Sequence, residues 1–137
     1  MGGGAWRVGK RRVTDARIGV SIAPMSNRIQ SYGAFWPHYL REHSRAETRN
    51  LHYAGTALTF VFLGLAILSG GWWWLAVPLA GYGFAWFAHY RVERNRPATF
   101  THPLWSLVSD YRMFFLWLTG RLDAHLKAAG VADNKRL

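Results

Sequence analysis

The fold is decided by an uninterrupted apolar block at residues 53–90, which reads YAGTALTFVFLGLAILSGGWWWLAVPLAGYGFAWFAHY. The block contains no Asp, Glu, Lys or Arg, and it is nearly twice the roughly 20 residues that one membrane-spanning helix needs. Gly70 and Gly71 divide it, and paired glycines indicate a turn. We therefore expect a helical hairpin that crosses a membrane twice. The first span, at about 54–69, is short for the hydrocarbon core, and the second, at about 72–90, fits better despite Pro78.

The charge distribution supports this placement. The formal net charge is +10, and arginines bracket the apolar block on both sides: Arg41, Arg45, Arg49, Arg91, Arg94 and Arg96. Because cytoplasmic flanks are rich in Lys and Arg, we expect the termini at the cytoplasmic face of a bacterial inner membrane or an endoplasmic-reticulum membrane. Nucleic-acid binding is the alternative for a basic chain, but bracketing of an apolar block disfavours it. A soluble buried hairpin is disfavoured because a 137-residue chain has little else to cover the block.

The flanking segments predict further helices. Apolar residues recur at helical spacing from Ser26 to His43, where Pro37 indicates a kink or the helix start. Residues 104–118 form an amphipathic pattern that Gly120 ends, and we expect a helix that either lies in the membrane interface or is partly inserted and packs on the hairpin. The fold class is thus all-α, an integral membrane hairpin with flanking interfacial amphipathic helices. We expect three regions: a disordered, basic, Gly-rich extension at 1–24, a membrane-embedded helical domain with a His-rich site at 25–122, and a polar tail at 123–137, helical or disordered.

Three histidines are predicted to meet at one end of this hairpin. His52 begins the first span and His89 ends the second, and antiparallel neighbours pack with axes about 8–10 Å apart. His43 precedes the first span closely enough to return to the same place. Three imidazoles at one membrane face suit non-haem iron or zinc, and we expect this cluster on the cytoplasmic side.

Two acidic residues are candidates for the same site. Glu93 follows His89 by four residues, so on a continuing helix both share a face and could supply an imidazole and a carboxylate to one metal. Asp110 is an acid close to the membrane, where an unpaired carboxylate is costly. As alternatives, the histidines form only hydrogen bonds, Glu93 pairs with Arg94 or Arg96, and Asp110 pairs with Arg96 or Arg112.

The remaining histidines, the lack of cysteine and the absence of common motifs narrow the range of possible functions. His38 and His125 are expected at the surface, and His102 either caps its turn or reaches the site. The chain contains no cysteine, which excludes disulfides and thiolate ligands and leaves the redox compartment open. It contains no HExxH, Walker or GxSxG motif, so hydrolase and nucleotide-binding functions lack their usual support.

Two stretches carry a resemblance to a known family. They are FWPHYLREHSRAETRNLHYAGT at 35–56 and, after the hairpin, AHYRVERNRPATFTHPLWSL at 88–107. The telling residues are His43, Asn50 and His52, followed by the pattern HxxxExxRPA that begins at His89. With these residues the chain, over about 26–120, resembles the 2-hydroxy-palmitate (2-hydroxy fatty acid) dioxygenase-like membrane proteins, formerly a domain of unknown function.

The resemblance implies an iron(II)-dependent dioxygenase that shortens a 2-hydroxy fatty acid by one carbon. His43, His52 and His89 would then hold Fe²⁺, with O2 at an open position. The substrate would chelate the ion through its hydroxyl and carboxylate, its tail would lie along the hairpin, and Arg96 would pair with the carboxylate. Glu93, Arg96 and Asp110 are the candidate catalytic residues. The expected partners are the bilayer, the fatty acid and O2 but no nucleic acid, and a homo-oligomer stays open. Two alternatives are a non-catalytic membrane protein with a structural histidine cluster and a zinc-dependent membrane hydrolase.

Overall fold

A computed structural model describes residues 29–131, and this part of the chain is all-helical. The proposed extension at 1–24 lies outside the described residues. A π-helical turn (His89–Glu93) directly continues α3, and a short 3-10 turn (Ala98–Phe100) precedes α4. The five α-helices are α1 (Tyr32–Glu42), α2 (Ala46–Ser69), α3 (Trp73–Ala88), α4 (Pro103–Leu118) and α5 (Leu122–Ala128).

Helices α2 and α3 pack antiparallel and very closely. A Cβ atom added to Gly55 of α2 would lie 2.8 Å from the Cβ of Phe84 and 3.0 Å from the carbonyl oxygen of Ala80, so only glycine allows this approach. Between α2 and α3, Gly70 and Gly71 adopt positive φ angles of 65° and 67°, which glycine reaches without steric cost. The Gly-Gly turn expected from the sequence is therefore present.

The relative lengths of these two helices differ from the expectation. The first was expected to be short, but α2 has 24 residues and α3 has 16, so this prediction is wrong. Glu47 and Arg49 are charged but are good helix formers, and Glu47 lies in the first turn, where a negative charge is favourable. The helix therefore begins well before the apolar block. Among the described helices, α2 alone is long and apolar enough to cross a membrane by length and composition.

A second packing region joins α1, α4 and α5. Phe35, Tyr39 and Leu40 of α1 and Met113 of α4 are completely buried in it. α4 begins one residue before the expected amphipathic segment and ends at the same residue, and Gly120 follows it with a φ of 70°. Ser31 caps α1, so that helix begins before Pro37, which lies within it. This region holds α1 against the open end of the α2–α3 pair.

The segment after Gly120 also belongs to this packing region. The structure describes the expected tail only as far as residue 131, and this part contains the short helix α5. Leu122 and Leu126, together with Ala129 and Val131 after the helix, are buried in the same core as α1. These residues therefore pack in one core with α1.

Candidate metal centre

Three histidine side chains from three separate elements meet at one point. His43 follows α1, His52 lies in the second turn of α2, and His89 opens the π-helical turn. The Nε2 atom of His43 lies 3.2 Å from Nε2 of His52 and 3.0 Å from Nε2 of His89. All three are buried, with exposures of 1%, 5% and 2%. The ligand atoms of these three residues lie within 4.8 Å of one another, as one metal ion requires.

The second ring nitrogen of each histidine has its own acceptor. Nδ1 of His43 lies 2.7 Å from the carbonyl oxygen of Tyr39. Nδ1 of His52 lies 2.9 Å from a carboxylate oxygen of Asp110, and Nδ1 of His89 lies 2.7 Å from the amide oxygen of Asn95. Because these partners accept, each Nδ1 carries the proton. In the neutral ring each Nε2 then presents a lone pair toward the shared centre.

This arrangement fits a cation. Three lone pairs facing one another at such short range repel unless a positive charge lies between them. Burial and then the neighbouring His52 and His89 hold the pKa of His43, the central ring, well below its ordinary value of 6.5, which disfavours a proton on that ring. Neutral imidazole is a common ligand of Fe, Zn, Cu and Ni. The donor set and its protonation state therefore fit a transition-metal ion.

Backbone interactions fix the loop that carries His43. The guanidinium of Arg49 donates to the carbonyl oxygens of His43 and Ser44 at 2.9 and 2.7 Å, which satisfies carbonyls at the end of α1. The carboxylate of Glu93 accepts from the backbone N–H of Arg45 at 2.8 Å, just before α2. Two long polar side chains therefore tie the end of α1 and the start of α2 to the π-helical turn.

The π-helical turn changes the expected role of Glu93. On a continuing α-helix Glu93 would share a face with His89, but here the N–H of Arg94 bonds five residues back to the carbonyl of His89. Arg94 adopts a left-handed conformation with a φ of 56°, which ends the helix. Glu93 therefore turns toward Arg45, and Asn95 takes the position beside His89. Short π segments of this kind often occur at functional sites.

Asp110 connects the histidine cluster to α1. One of its carboxylate oxygens accepts hydrogen bonds from both the ring of His52 and the hydroxyl of Tyr39. Burial, and then the charge of Asp110, raise the pKa of the Tyr39 phenol well above its usual value of 10, so the hydroxyl stays protonated and donates. The Tyr39 ring also stacks on His43 with 4.0 Å between ring centroids.

The remaining candidates lie apart from the three converging nitrogens. Arg96 is exposed, with its guanidinium 5.3 Å from the centre of the Phe100 ring. The ring of His102 contacts the Ile29 carbonyl and stacks on Trp105. Nδ1 of His125 accepts a hydrogen bond from the indole of Trp36. His38 and His125, expected at the surface, are each half-buried.

Arg112 was one of the two alternative partners of Asp110, but it does not pair with that residue. Its guanidinium lies over the ring of Trp36, 4.2 Å from the ring centre, which is a cation–π contact. Asp110 instead faces His52 and Tyr39. The acid therefore belongs to the hydrogen-bond network of the histidine cluster.

Sequence reasoning missed three members of that network. Tyr39 precedes His43 by four residues on one helix face, and this i, i+4 spacing was a usable signal. Asn95 lies beside His89 only because of the π-helical turn, which no spacing rule indicates. Its side-chain N–H2 donates to the carbonyl and the carboxylate of Glu42 at 3.1 and 2.7 Å. Glu42 thereby fixes the Asn95 amide so that its oxygen faces His89.

Comparison with protein families gives one match. The model of a family described as 2-hydroxy-palmitic acid dioxygenase Mpo1-like matches residues 29–122. Neither the curated proteins nor the solved structures contain a match. The matched range holds the three histidines, their acceptors and helices α1 to α4. The chain belongs to the 2-hydroxy-palmitic acid dioxygenase Mpo1-like family.

Proposed function

We propose that this chain is an iron(II)-dependent dioxygenase that shortens a 2-hydroxy fatty acid by one carbon. The observation that carries the proposal is the convergence of the buried Nε2 atoms of His43, His52 and His89. Each ring has an acceptor on its other nitrogen, which is typical of histidines that bind metals. The family description supplies the reaction class and the type of substrate.

Iron is favoured over zinc by the chemistry of the reaction. Zinc has no redox chemistry in proteins, whereas a dioxygenase must transfer electrons to O2. Bound iron(II) would supply O2 activation, and three histidine ligands leave further coordination positions open. A purely structural histidine cluster is the alternative, and the metal content of the purified protein distinguishes the two.

The protein's own residues hold the ligands in place. The Asp110 carboxylate fixes the ring orientation of His52 and increases its basicity. The Tyr39 carbonyl and the Asn95 amide do the same for His43 and His89. In this proposal Glu93 acts through Arg45 as a positioning residue. Arg96 takes no part in binding the substrate carboxylate, because its guanidinium lies over Phe100 at the surface.

The reaction balances with O2 as the only co-substrate. One 2-hydroxy acid and one O2 give the acid shortened by one carbon, CO2 and water. Carbon 2 is oxidised to the new carboxyl group, carbon 1 leaves as CO2, and O2 is reduced. The substrate's hydroxyl and carboxylate are adjacent oxygen donors, and they suit open coordination positions beside three nitrogen ligands.

We place α2 and α3 across a membrane, with the histidine cluster at its cytoplasmic side. Large apolar side chains are exposed along both helices, among them Leu68, Leu75 and Leu79. Arginines are exposed at the histidine end, among them Arg45 and Arg91. This distribution supports an apolar environment around the helix pair and an aqueous, anionic surface beside the cluster.

The test uses the full chain purified in a mild detergent and loaded anaerobically with Fe²⁺. We expect one iron per chain, oxygen consumption with 2-hydroxypalmitate, and a C15 fatty acid detected by mass spectrometry, with palmitate as the unreactive control. An iron-loaded sample that consumes no oxygen would exclude the dioxygenase. Selective retention of zinc would support the hydrolase, and failure to retain any metal would support the structural cluster.

A further inference from the structure

A cavity of about 210 Å³ lies beside the histidine cluster, between α2, α3 and α4. Among the described residues that line it, His52 is the one member of the cluster, and Asp110 lies next to it. From this polar end the cavity follows α2 past Thr56 to Thr59, a rise of roughly 10 Å along the helix. Val77 lines it on the facing helix. The Thr59 hydroxyl donates to the carbonyl oxygen of Gly55 within α2, so the charged groups of the lining lie at the histidine end, while Val77, Pro78 and Leu107 make the other end mainly apolar.

The apolar end reaches the protein surface. Pro78 of α3 and Leu107 of α4 line the cavity and are both exposed. Their neighbours on the same two helices include Leu75, Leu79, Leu104 and Val108, which are large apolar residues exposed by half or more. An opening surrounded by such side chains faces the acyl chains of a bilayer, if α3 lies in a membrane as proposed above.

The volume limits what the cavity can hold. Pockets that enclose a whole drug-sized ligand measure roughly 300–1,000 Å³, so this cavity encloses only part of a long fatty acid. The enclosed part is the one nearest the reacting carbons, since the polar end lies at His52. The remainder of the chain must leave through the opening between Pro78 and Leu107.

We propose that the fatty acid enters this cavity laterally from the bilayer, an inference that rests on the proposed function. Its 2-hydroxy acid end lies toward His52, and its tail remains in the lipid between α3 and α4. This assigns the substrate-binding site to one cavity and explains how a small protein could act on a chain longer than its own interior.

Gly81 keeps the cavity open. It lines the cavity from α3, and a Cβ atom added there would lie 3.3 Å from the hydroxyl oxygen of Thr59 on α2. Any side chain larger than alanine must therefore extend into the space that the acyl chain would occupy. Gly83, two residues further along α3, has no atom within 4 Å of an added Cβ and is exposed, so it offers a matched control.

The first experiment compares Gly81→Leu with Gly83→Leu. Gly81→Leu should keep its iron but lose at least tenfold in kcat/KM for 2-hydroxypalmitate, while Gly83→Leu should match the wild-type protein. A short 2-hydroxy acid such as 2-hydroxybutyrate should be affected much less by Gly81→Leu. Unchanged turnover of 2-hydroxypalmitate by iron-loaded Gly81→Leu would overturn the proposal.

The second experiment uses the unmodified chain and needs no turnover. A 2-hydroxy fatty acid with a photoreactive diazirine near its middle is incorporated into vesicles that contain the protein, and labelled peptides are mapped after irradiation. Labels at Val77, Pro78 or Leu107 that excess 2-hydroxypalmitate removes would support the cavity as the binding site. Labels confined to the outer faces of α2 and α3 would overturn it. Because the label reports where the fatty acid binds and not whether it reacts, this result does not depend on the protein being a dioxygenase.

Discussion

The two ends of the α2–α3 pair are built in opposite ways. At one end His52 and His89 are buried, and each ring nitrogen faces a defined partner. At the other end, around the Gly70–Gly71 turn, Leu68 is 85% exposed and Trp72 and Trp74 are also exposed. The same two helices thus hold a polar site with fixed geometry at one end and an apolar surface without polar partners at the other.

This difference predicts how each end responds to substitution. At the histidine end each polar side chain is hydrogen-bonded to another buried polar group. The loss of one side chain therefore leaves its partner buried and unpaired, which lowers the free energy of unfolding. At the turn end a side chain mainly contacts the surroundings, so the effect of its loss stays local. Four measurements test this contrast.

Loss of a ligand should have the largest effect. His52→Ala and His89→Ala each remove one of three nitrogen donors, and we expect each to abolish metal binding, as measured by the metal content of the purified protein. His125→Ala is the control, because that ring is half-buried and bonds to Trp36, away from the three converging nitrogens. Equal metal content in all three variants would refute the ligand assignment.

Loss of the acid behind a ligand should have the next largest effect. Asp110→Asn keeps the size of the side chain but removes the charge that orients His52, and such outer partners typically change metal affinity by about 10–100-fold. We expect a loss in that range in a competitive chelator titration. Asp123→Asn, at an exposed acid of α5, should leave the affinity unchanged, and an equal loss in both variants would show that Asp110 has no specific role.

The sequence predicts the meeting of the histidines well, because that feature depends only on an antiparallel pair and its turn. Residues 53–90 have no charge and one Gly-Gly turn, and two helices joined in that way must bring residues 52 and 89 to the same end. The polar surroundings of the histidines depend on finer geometry. His43 has its carbonyl partner four residues earlier, at Tyr39 of α1, which a helical spacing rule could find.

The role of Asn95 could not be predicted by such a rule. The π-helical turn rotates the residues after His89 away from the positions that they would have in an α-helix. Helical spacing therefore predicts Glu93, and not Asn95, beside His89. A π-helical turn is stabilised by tertiary contacts, here those of Glu93 with Arg45 and of Asn95 with Glu42. These contacts involve residues about 50 positions away, which local sequence patterns do not report.

The metal-free protein should lose stability in acid. His43 is neutral when folded because burial lowers its pKa, whereas in the unfolded chain it titrates near 6.5. Below that pH the unfolded state therefore binds a proton that the folded state does not. The free energy of unfolding should fall with decreasing pH below about 6.5, by up to about 1.4 kcal/mol per pH unit from this group.

Denaturant unfolding in detergent between pH 5 and 8 measures this slope. His43→Gln removes one buried titrating ring and should reduce the slope below pH 6.5, while the buried His89, whose pKa is also lowered by burial, keeps part of it. His125→Ala should retain the wild-type slope. Identical pH profiles for His43→Gln and the unsubstituted chain would show that the burial of His43 does not control its protonation.

The smallest effect is expected at the turn end. Trp74 is more than half exposed, so Trp74→Ala should leave the metal content unchanged and alter the free energy of unfolding by no more than about 0.5 kcal/mol. Trp73, next to it, is half-buried and stacks on Phe62 of α2 with 5.7 Å between ring centroids. Trp73→Ala should therefore cost roughly half of the 3–5 kcal/mol typical of a fully buried aromatic residue, again without loss of metal. If Trp74→Ala lowered metal affinity as much as Asp110→Asn, the two ends would be coupled along the helices, because no contact of Trp74 leads directly to the histidines.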